Sequence, residues 1–371
     1  MAEKSVIAVD LGAESGRVIR VSLGSDQIGF EQVHRFPNQP VMVRGSLRWD
    51  ALRLWYEIEE GLRPTLTDTA SIGVDTWGVD FALLDRAGDL LTNPTHYRDS
   101  QKDGSMDYVF ARVPRRVIFE RTGIQFMVIN GLFQLATLLR DRSPVIDSAA
   151  YLLSMADLFN YWLTGTKACE FTVATTLQMF NPRLNAWDIE TLRAIDAPTH
   201  MLTPIVQPMT RLGSYHNVPV HAVGCHDTAS AVVAVPTTTE NYAYISSGTW
   251  SLMGLEIDQP VIDDLAYGEN VTNEGGVGGK YRLLKNIAGM WLAQQCRAAW
   301  RGQGQEYSYD QLAQAATEAQ PYQAFIDPDD ALFLRPGDMP ASIREFCRRS
   351  GQAEPEHVGD FMRVIYEHAL P

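Results

Sequence analysis

The chain has 371 residues, 45% of them hydrophobic and 20% charged, and its formal net charge is -14 at pH 7. This length allows two or three domains with large cores, and the acidic balance argues against nucleic acid or an anionic membrane surface as a partner. Four widely spaced cysteines without a C-x-x-C pair, and no apolar run near the ~20 residues that span a bilayer, predict a soluble cytoplasmic protein.

The first predicted elements are two buried strands, at residues 5–9 and 18–23, joined by a glycine-containing turn over residues 10–17. Backbone N–H groups in such a turn can surround a phosphate, because its two glycines leave them unhindered. The turn lacks the G-x-x-x-x-G-K-[ST] pattern of a Walker loop and the G-x-G-x-x-G pattern of a dinucleotide site. A plain hairpin turn is therefore an alternative to a phosphate loop.

A third strand is predicted at residues 27–35, and a helix begins near Asp50. The helical spacing predicts one buried face that includes Leu52, Trp55 and Leu62. Trp55 is accordingly expected to belong to the core.

A further strand at residues 71–74 ends in the segment D-T-W-G-V-D over residues 75–80. Acidic and aromatic residues around a glycine suit a sugar pocket, where carboxylates accept hydroxyl protons and a ring stacks on C–H groups. The alternative is a hairpin whose aspartates cap turns.

Residues 102–163 predict several helices, and three prolines between residues 198 and 208 mark a connector. We place the domain boundary near residues 212–217. The predicted domains are residues 1–214 and residues 215–371.

Residues 219–231, with the sequence P-V-H-A-V-G-C-H-D-T-A-S-A, predict a strand, a glycine break and the start of a helix. Asp227 lies at this junction. A carboxylate there can accept a proton from a substrate hydroxyl, and the helix N terminus favours its ionised form. The alternative is that Asp227 only caps the helix, since Asp is a favoured N-cap residue.

A second hairpin follows, with strands at residues 242–245 and 252–255 and the polar turn S-S-G-T-W-S between them. It repeats the arrangement that opens the chain. Two such hairpins, one in each domain, fit a duplicated fold in which both bind one nucleotide.

Eight segments stand in an order that resembles the FGGY carbohydrate kinases, and among them the enzymes that act on L-rhamnulose. They are residues 10–17, 75–80, 96–99, 123–126, 224–230, 246–254, 273–276 and 285–287. The resemblance extends over essentially the whole chain. It implies an α/β fold of two ribonuclease-H-like lobes, as in sugar kinases, heat-shock chaperones and actin. It also implies transfer of the γ-phosphoryl group of ATP to the 1-hydroxyl of L-rhamnulose, a step of L-rhamnose catabolism.

The resemblance implies roles for individual residues. Asp227 is the implied proton acceptor. The other implied sugar contacts are Gly78, His226, Thr228 and Asn286, and the implied ATP contacts are Ala13, Glu14, Ser15, Gly16, Arg17, Thr249 and Gln294. Asp10 is suited to hold Mg²⁺ through water, because Mg²⁺ keeps much of its hydration shell. One base, backbone amides and Mg²⁺ are sufficient parts for phosphoryl transfer. A monomer is expected for a complete chain.

The chain also departs from the family pattern. Gln101 stands where the sugar loop usually has an arginine and is followed by Lys102, and Ala156 replaces a usual proline. Relatives continue beyond the helix predicted from residue 360 into a glycine-rich segment that holds the adenine, and no such segment follows Gly279. We therefore expect an incomplete second lobe and a weakly active chain.

Three other interpretations stay open. In the first, the chain is a remnant that binds sugar without turnover, as Gln101 and the C terminus indicate. In the second, it phosphorylates another ketose, such as fuculose or xylulose. In the third, it is an actin-like or chaperone-type ATPase, which would not need the sugar signatures at residues 75–80 and 273–276.

Overall fold

The computed structural model describes residues 4–24, 27–328 and 330–368. The chain forms two compact units. Unit 1 comprises Met1–Tyr242 and Leu255–Leu284, and unit 2 comprises Ala243–Gly254 and Lys285–Pro371. Within the described residues, no helix is both long enough and apolar enough to cross a membrane.

The strands of the described chain are β1 (Lys4–Leu11), β2 (Ser15–Leu23), β3 (Ile28–Pro37), β4 (Val41–Val43), β5 (Ser46–Arg48), β6 (Thr69–Thr76), β7 (Phe81–Leu84), β8 (Tyr151–Ser154), β9 (Cys169–Glu170), β10 (Phe180–Asn181), β11 (Ala186–Trp187), β12 (Ile205–Val206), β13 (Arg211–Tyr215), β14 (Val218–His221), β15 (Ala243–Ser247), β16 (Trp250–Ile257), β17 (Thr272–Gly275) and β18 (Tyr281–Ala288). The α-helices are α1 (Ala51–Leu62), α2 (Ser105–Phe110), α3 (Arg115–Thr122), α4 (Gly131–Arg140), α5 (Pro144–Ser148), α6 (Met155–Thr164), α7 (Phe171–Thr176), α8 (Ile189–Ala194), α9 (Asp227–Val233), α10 (Asp264–Gly268), α11 (Trp291–Gly302), α12 (Tyr309–Glu318), α13 (Met339–Arg349) and α14 (Val358–His368). Short 3₁₀ helices lie at Arg63–Thr65, Ser100–Lys102, Thr199–Met201 and Ala331–Phe333.

Unit 1 is built on a six-stranded sheet in the order β13-β14-β6-β1-β2-β3. The strands β1, β2 and β3 form an antiparallel meander, whereas β6 runs parallel to both β1 and β14. The carboxyl ends of β1, β6 and β14 therefore point the same way. Asp10 of β1 is the register partner of Asp75 of β6, and the loop after β14 leads to Asp227. The topology places three sequence-distant carboxylates at the edge of the sheet that is formed by the carboxyl ends of β1, β6 and β14.

Helix α1 packs on this sheet with a face that differs from the predicted one. The Asp50 side chain caps the helix by accepting from the Arg53 N–H, so that Ala51 and Leu54 point inward. Leu52, predicted to be buried, is 61% exposed. Trp55 is half-buried at the flank, where it meets the ring of Trp162 edge-on at 5.6 Å. The apolar spacing predicted the helix correctly but placed its buried face about one residue away.

The core of unit 2 is formed by helices α11, α12, α13 and α14. Trp300, Leu312, Ile343 and Phe361 are buried there in one apolar cluster. A four-stranded sheet has the order β15-β16-β18-β17, and the unit boundaries fall within β16 and β18.

The compact units divide the chain after Tyr242, whereas the sequence placed the boundary near residue 214. The reason is that β13 and β14 are strands of the unit 1 sheet, with β14 paired to β6. The Asp227 helix, which we had assigned to the second domain, accordingly belongs to unit 1. Residues 255–284 return to unit 1 as well, so the first unit is discontinuous in sequence.

Candidate functional site

The candidate site of unit 1 begins with the three carboxylates at the sheet edge. Burial raises the pKa of Asp75 well above its usual range, and the negative charges of Asp10 and Asp227 act in the same direction. The Arg17 guanidinium lowers it, and Arg17 also forms an ion pair with Asp10. Three carboxyl groups therefore lie near enough to influence one another at this edge, with Arg17 as a nearby cation.

Asp227 is the first residue of α9, and the N-cap position belongs to His226. Its Oδ1 accepts from the N–H and the hydroxyl of Thr228, at 2.6 Å and 3.1 Å. Desolvation raises the pKa of Asp227, while His226 and Thr228 oppose this and Asp10 adds to it. The side chain remains 37% exposed. An accessible carboxylate that does not cap the helix does not match the alternative of a purely structural Asp227.

His226 is held through both its backbone and its imidazole ring. Its backbone N–H donates to Thr172 Oγ1 at 3.0 Å. Its ring Nε2 lies 3.5 Å from Asp227 Oδ1, and its Nδ1 lies 2.9 Å from Arg282 Nη2 and 3.3 Å from Glu274 Oε2. The ring is therefore fixed between a carboxylate at the sheet edge and a buried ion pair.

Gly78 lies against the same ring. A Cβ atom at residue 78 would stand 3.2 Å from His226 Nε2 and 3.0 Å from Thr176 Oγ1. The next residue, Val79, has φ of 66°, a left-handed conformation that a β-branched residue rarely adopts. It is held there because its N–H donates to Thr176 Oγ1 and its carbonyl accepts from Gln134 Nε2. Such strain is typical of functional segments that the surrounding structure over-determines.

Asp80 holds the 75–80 segment together and is not available to a sugar hydroxyl. Its Oδ2 accepts from the indole N–H groups of Trp49 and Trp77 at 2.5 Å and 3.0 Å, and from the Tyr97 N–H at 3.3 Å. Its Oδ1 accepts from Gln134 Nε2 at 2.6 Å. Burial raises the pKa of Asp80 to about 6, which these bonds and Lys102 partly offset. The proposal that carboxylates of this segment accept sugar protons is therefore wrong for Asp80.

In the loop where Gln101 replaces the usual arginine, the next residue, Lys102, is buried. The Gln101 side chain is exposed, whereas Lys102 is buried and donates from Nζ to the carbonyls of His96 and Asp99, at 2.5 Å and 3.5 Å. Burial lowers the pKa of Lys102 to about 8, although Asp80, Asp99 and Asp103 raise it. Lys102 is the cation that stabilises this loop from within.

The first hairpin turn is shorter than predicted. β1 ends at Leu11 and β2 begins at Ser15, because the antiparallel register continues to the Leu11 and Gly16 pair. Ser15, Gly16 and Arg17 therefore lie in a strand, and only residues 12–14, including Ala13 and Glu14, form the turn. The turn is tied down by Asn38, whose side chain donates to the Gly12 carbonyl and whose N–H donates to the Glu14 carbonyl.

Gly16 is explained by packing. A Cβ atom there would stand 2.3 Å from the Phe36 ring and 2.8 Å from Leu11 Cδ2. The sequence argument that this glycine leaves the backbone open to a phosphate is therefore not needed to explain it.

The remaining candidate residues belong to unit 2. The Thr249 carbonyl accepts from the Trp291 N–H at 3.0 Å, and Thr249 Oγ1 accepts from Gln294 Nε2 at 3.4 Å. The tip of the β15-β16 hairpin is thus fastened to the first turn of α11, and these two predicted ATP contacts are brought together. Asn286 is half-buried in β18.

The sequence analysis missed a buried support beneath the Asp227 loop. Glu170 Oε2 accepts from the Thr172 hydroxyl at 2.5 Å, the Cys225 N–H at 3.2 Å and the Val173 N–H at 3.3 Å. Burial raises the pKa of Glu170 to about 8. The sequence offered one signal for this support, a glutamate immediately before a threonine-rich helix. Its position in the sequence does not indicate that it contacts residues 225 and 226.

Among the described residues, no group of three or more His, Cys, Asp or Glu side chains is arranged to bind a metal ion. The carboxyl groups of Asp10, Asp75 and Asp227 nevertheless suit a divalent cation, since each opposes ionisation of the next and a cation nearby would favour their ionised forms. These observations fit a hydrated Mg²⁺ bound through water.

Two family models match the chain. The model described as "FGGY family of carbohydrate kinases, N-terminal domain" matches residues 5–236, and the one for the C-terminal domain matches residues 243–369. A rhamnulokinase from Bacteroides thetaiotaomicron is 42% identical in an alignment 381 residues long, which covers 98% of this chain and 77% of that protein. A rhamnulokinase from Pectobacterium atrosepticum is 39% identical in an alignment 378 residues long, which covers 99% of this chain and 75% of that protein.

Solved structures of sugar kinases have the same fold. The ligand-bound xylulose kinase from Lactobacillus acidophilus superimposes with a TM-score of 0.75 over 99% of this chain and 76% of that chain, at 15% identity. The Plasmodium falciparum glycerol kinase with ADP gives a TM-score of 0.70 over 99% of this chain and 76% of that chain, also at 15% identity. At such identities the likeness shows the fold alone, and it confirms the predicted two-domain α/β class.

The chain spans 77% and 75% of the lengths of these two rhamnulokinases, and the expected incompleteness of the second lobe stays a prediction. The C-terminal domain model is matched from residue 243 to residue 369, and α14 buries Phe361, Met362 and Ile365 in the core of unit 2. The helix predicted from residue 360 is therefore present and packs in this core. The weak activity expected of the chain likewise stays a prediction.

Proposed function

Because the chain belongs to the FGGY family of carbohydrate kinases, we propose that it transfers the γ-phosphoryl group of ATP to the 1-hydroxyl of L-rhamnulose. The observation that carries the substrate assignment is the identity of 36–42%, over nearly the whole chain, to relatives that are rhamnulokinases. The xylulose and glycerol kinases share the fold at much lower identity. The sequence likeness therefore favours L-rhamnulose over other ketoses.

Asp227 is the proposed proton acceptor. Its partly exposed carboxylate can take the proton of the 1-hydroxyl as that oxygen attacks the γ-phosphorus and the bond from this phosphorus to the leaving ADP breaks, while Oδ1 stays bound to Thr228. Phosphoryl transfer needs mainly positioning and charge neutralisation, so a single oriented base is sufficient. Gly78, His226 and Thr228, which surround Asp227 in unit 1, together with Asn286 of unit 2, are the proposed sugar contacts.

The proposed ATP contacts are Ala13, Glu14, Ser15, Gly16 and Arg17 of unit 1 and Thr249 and Gln294 of unit 2. Residues 13–17 run from the Asn38-fastened turn into β2, which offers a fixed backbone for phosphate oxygens. Asp10 would hold Mg²⁺ through water, and its ion pair with Arg17 keeps the carboxylate in place. The bound Mg²⁺ supplies neutralisation of the phosphate charge.

A coupled assay of ADP release tests this proposal. The purified chain is given ATP and Mg²⁺ with L-rhamnulose, L-fuculose or D-xylulose in parallel. We expect the largest kcat/KM with L-rhamnulose. A larger value with either other ketose would overturn the substrate assignment, and sugar binding by calorimetry without turnover on any ketose would support the non-catalytic remnant.

The monomeric state and the cytoplasmic location stay predictions. Both follow from the resemblance and from composition, and neither enters the argument for the reaction.

A further inference from the structure

Arg282 is a fully buried arginine that the sequence analysis did not single out. It lies in β18 and is the cross-strand partner of Glu274 in β17. Its Nε donates to the Gly275 carbonyl at 2.9 Å, and its Nη2 contacts Glu274 Oε2 at 3.2 Å. The guanidinium is thus held in one orientation by a backbone oxygen and a buried carboxylate.

The same Nη2 lies 2.9 Å from Nδ1 of His226. A guanidinium can only donate hydrogen bonds, so Nδ1 must accept, and the imidazole proton must then reside on Nε2. Glu274 Oε2 lies farther from Nδ1, at 3.3 Å. A proton on Nδ1 could be donated to Glu274, but it would then point at a second donor, Arg282 Nη2, only 2.9 Å away. The shorter contact therefore decides the tautomer.

The other ring nitrogen faces the candidate site. Nε2 lies 3.5 Å from Asp227 Oδ1 and 3.2 Å from the position that a Cβ on Gly78 would occupy. With its proton on Nε2, His226 presents a donor toward the carboxylate and toward any sugar oxygen bound beside Gly78. The opposite tautomer would present a lone pair there, which would oppose the carboxylate and could only accept a hydrogen bond from a sugar hydroxyl.

We propose that Arg282 is a positioning residue, which fixes His226 as the Nε2–H tautomer so that the ring donates toward Asp227 and the sugar. The effect on catalysis rests on the proposed function, whereas the tautomer itself does not. Arg282 touches neither substrate nor reacting atoms in this account. It acts through His226, and Glu274 acts by holding Arg282.

A lysine cannot replace this arrangement fully. The guanidinium places Nε and Nη2 in a rigid fork, so that one group binds the Gly275 carbonyl while another binds His226. A lysine ammonium in β18 is one point charge on a flexible chain. We expect Arg282→Lys to restore part of the interaction that Arg282→Met removes.

Nitrogen-15 NMR of histidine-labelled protein tests the tautomer directly, with the His226 signals assigned by their loss in His226→Asn. In the native chain we expect an unprotonated Nδ1 and a protonated Nε2. Glu274→Gln should preserve this state, because it leaves the Arg282 contact intact. Arg282→Met should abolish the single fixed tautomer, and the double variant Arg282→Met with Glu274→Gln avoids leaving a lone buried carboxylate if the single variant does not fold.

Kinetics provide the second readout. For Arg282→Met we expect kcat/KM for L-rhamnulose to fall about tenfold or more, as for loss of one hydrogen bond to a charged group, with KM for ATP unchanged and partial recovery in Arg282→Lys. A protonated Nδ1 in the native chain would overturn the proposal and assign the ring to Glu274. An unchanged tautomer in folded Arg282→Met would overturn it as well. Absence of L-rhamnulose turnover with the expected tautomer would count against the proposed function alone.

Discussion

Asp227 combines a partly exposed carboxylate with hydrogen bonds to its own neighbour, Thr228. We predict that Asp227→Asn lowers kcat by ~10²- to 10⁴-fold, the usual contribution of a general base. The amide oxygen can still accept from the Thr228 N–H, so the free energy of unfolding should change little. Turnover and urea denaturation measure the two effects.

Asp258→Asn is the matched control for that experiment. Asp258 is an exposed carboxylate that pairs with Lys280 at the surface, and its loss should leave kcat within about twofold, since exposed ion pairs contribute little. A large loss of stability with an unchanged rate in Asp227→Asn would show that the carboxylate is structural.

Gly78 offers a second test at the residue scale. An added Cβ would press on His226 Nε2 and Thr176 Oγ1, at 3.2 Å and 3.0 Å, and would displace the ring that the sugar is proposed to meet. We predict that Gly78→Ala raises the dissociation constant for L-rhamnulose about tenfold, which corresponds to ~1.4 kcal/mol. Isothermal titration measures it, with Gly268→Ala as control because a Cβ at residue 268 meets open space. Equal affinities in the two variants would remove Gly78 from the site.

At the scale of elements, the sequence predicted which strands and helices exist better than where they begin and face. The β1-turn-β2 hairpin was recognised, but strand pairing through Leu11 and Gly16 shortened its turn. Helix α1 was recognised with its start near Asp50 and with Leu62 buried, but its packing on the sheet leaves Leu52 outward. Periodicity reports that a face exists, whereas capping and tertiary pairing fix its phase.

Glu170 shows how one element supports another. It begins α7 as N-cap and accepts from the Cys225 N–H, and Thr172 accepts from the His226 N–H. The short helix thereby fixes the backbone immediately before Asp227. Residues 170 and 225 are 55 positions apart in the chain, and no local pattern could have predicted that they meet.

The pKa of Glu170 gives a prediction for the pH dependence of stability. Burial raises it from 4.5 to about 8, so between these values the folded protein holds a proton that the unfolded chain has released. Stability from this group is complete below pH 4.5 and is lost as pH rises through about 8. We predict that it contributes a fall in stability of roughly 1 kcal/mol per pH unit between pH 6 and pH 7.5.

Glu170→Gln should remove that contribution and flatten the curve, because its amide oxygen can replace Oε2 as acceptor without titrating. Urea denaturation at several pH values measures the difference from the native chain. Glu190→Gln serves as the control, since Glu190 is an exposed carboxylate paired with Arg121. Parallel curves for the native chain and Glu170→Gln would contradict a protonated buried Glu170.

At the scale of the whole molecule, the family motifs predicted the two α/β domains, while the limits of the compact units required the structure. Arg282 and Glu274 lie beyond the unit 2 strand β15 in sequence, yet they belong to unit 1 and hold His226. A chain that leaves a unit and returns to it has no signature in composition or spacing. The support of the candidate site was therefore hidden in residues that the motifs alone could not join.

The division of the candidate contacts between the units leads to a prediction for ligand binding. Gly78, His226, Asp227 and Thr228 all belong to unit 1, whereas Thr249 and Gln294 belong to unit 2. We predict that L-rhamnulose alone slows amide hydrogen exchange in peptides covering residues 76–80 and 225–230. A non-hydrolysable ATP analogue should slow exchange in peptides covering residues 13–17, 248–251 and 291–295, because ordered ligand contacts restrict local opening.

Each ligand should also stabilise the chain by about 2.7 kcal/mol at a hundredfold excess over its dissociation constant. Asp258→Asn should reproduce both exchange patterns, and Gly78→Ala should need about tenfold more L-rhamnulose for the sugar-dependent pattern while keeping the ATP-dependent one. Sugar protection confined to unit 2 peptides, with residues 76–80 and 225–230 unchanged at saturation, would contradict the placement of the sugar contacts in unit 1.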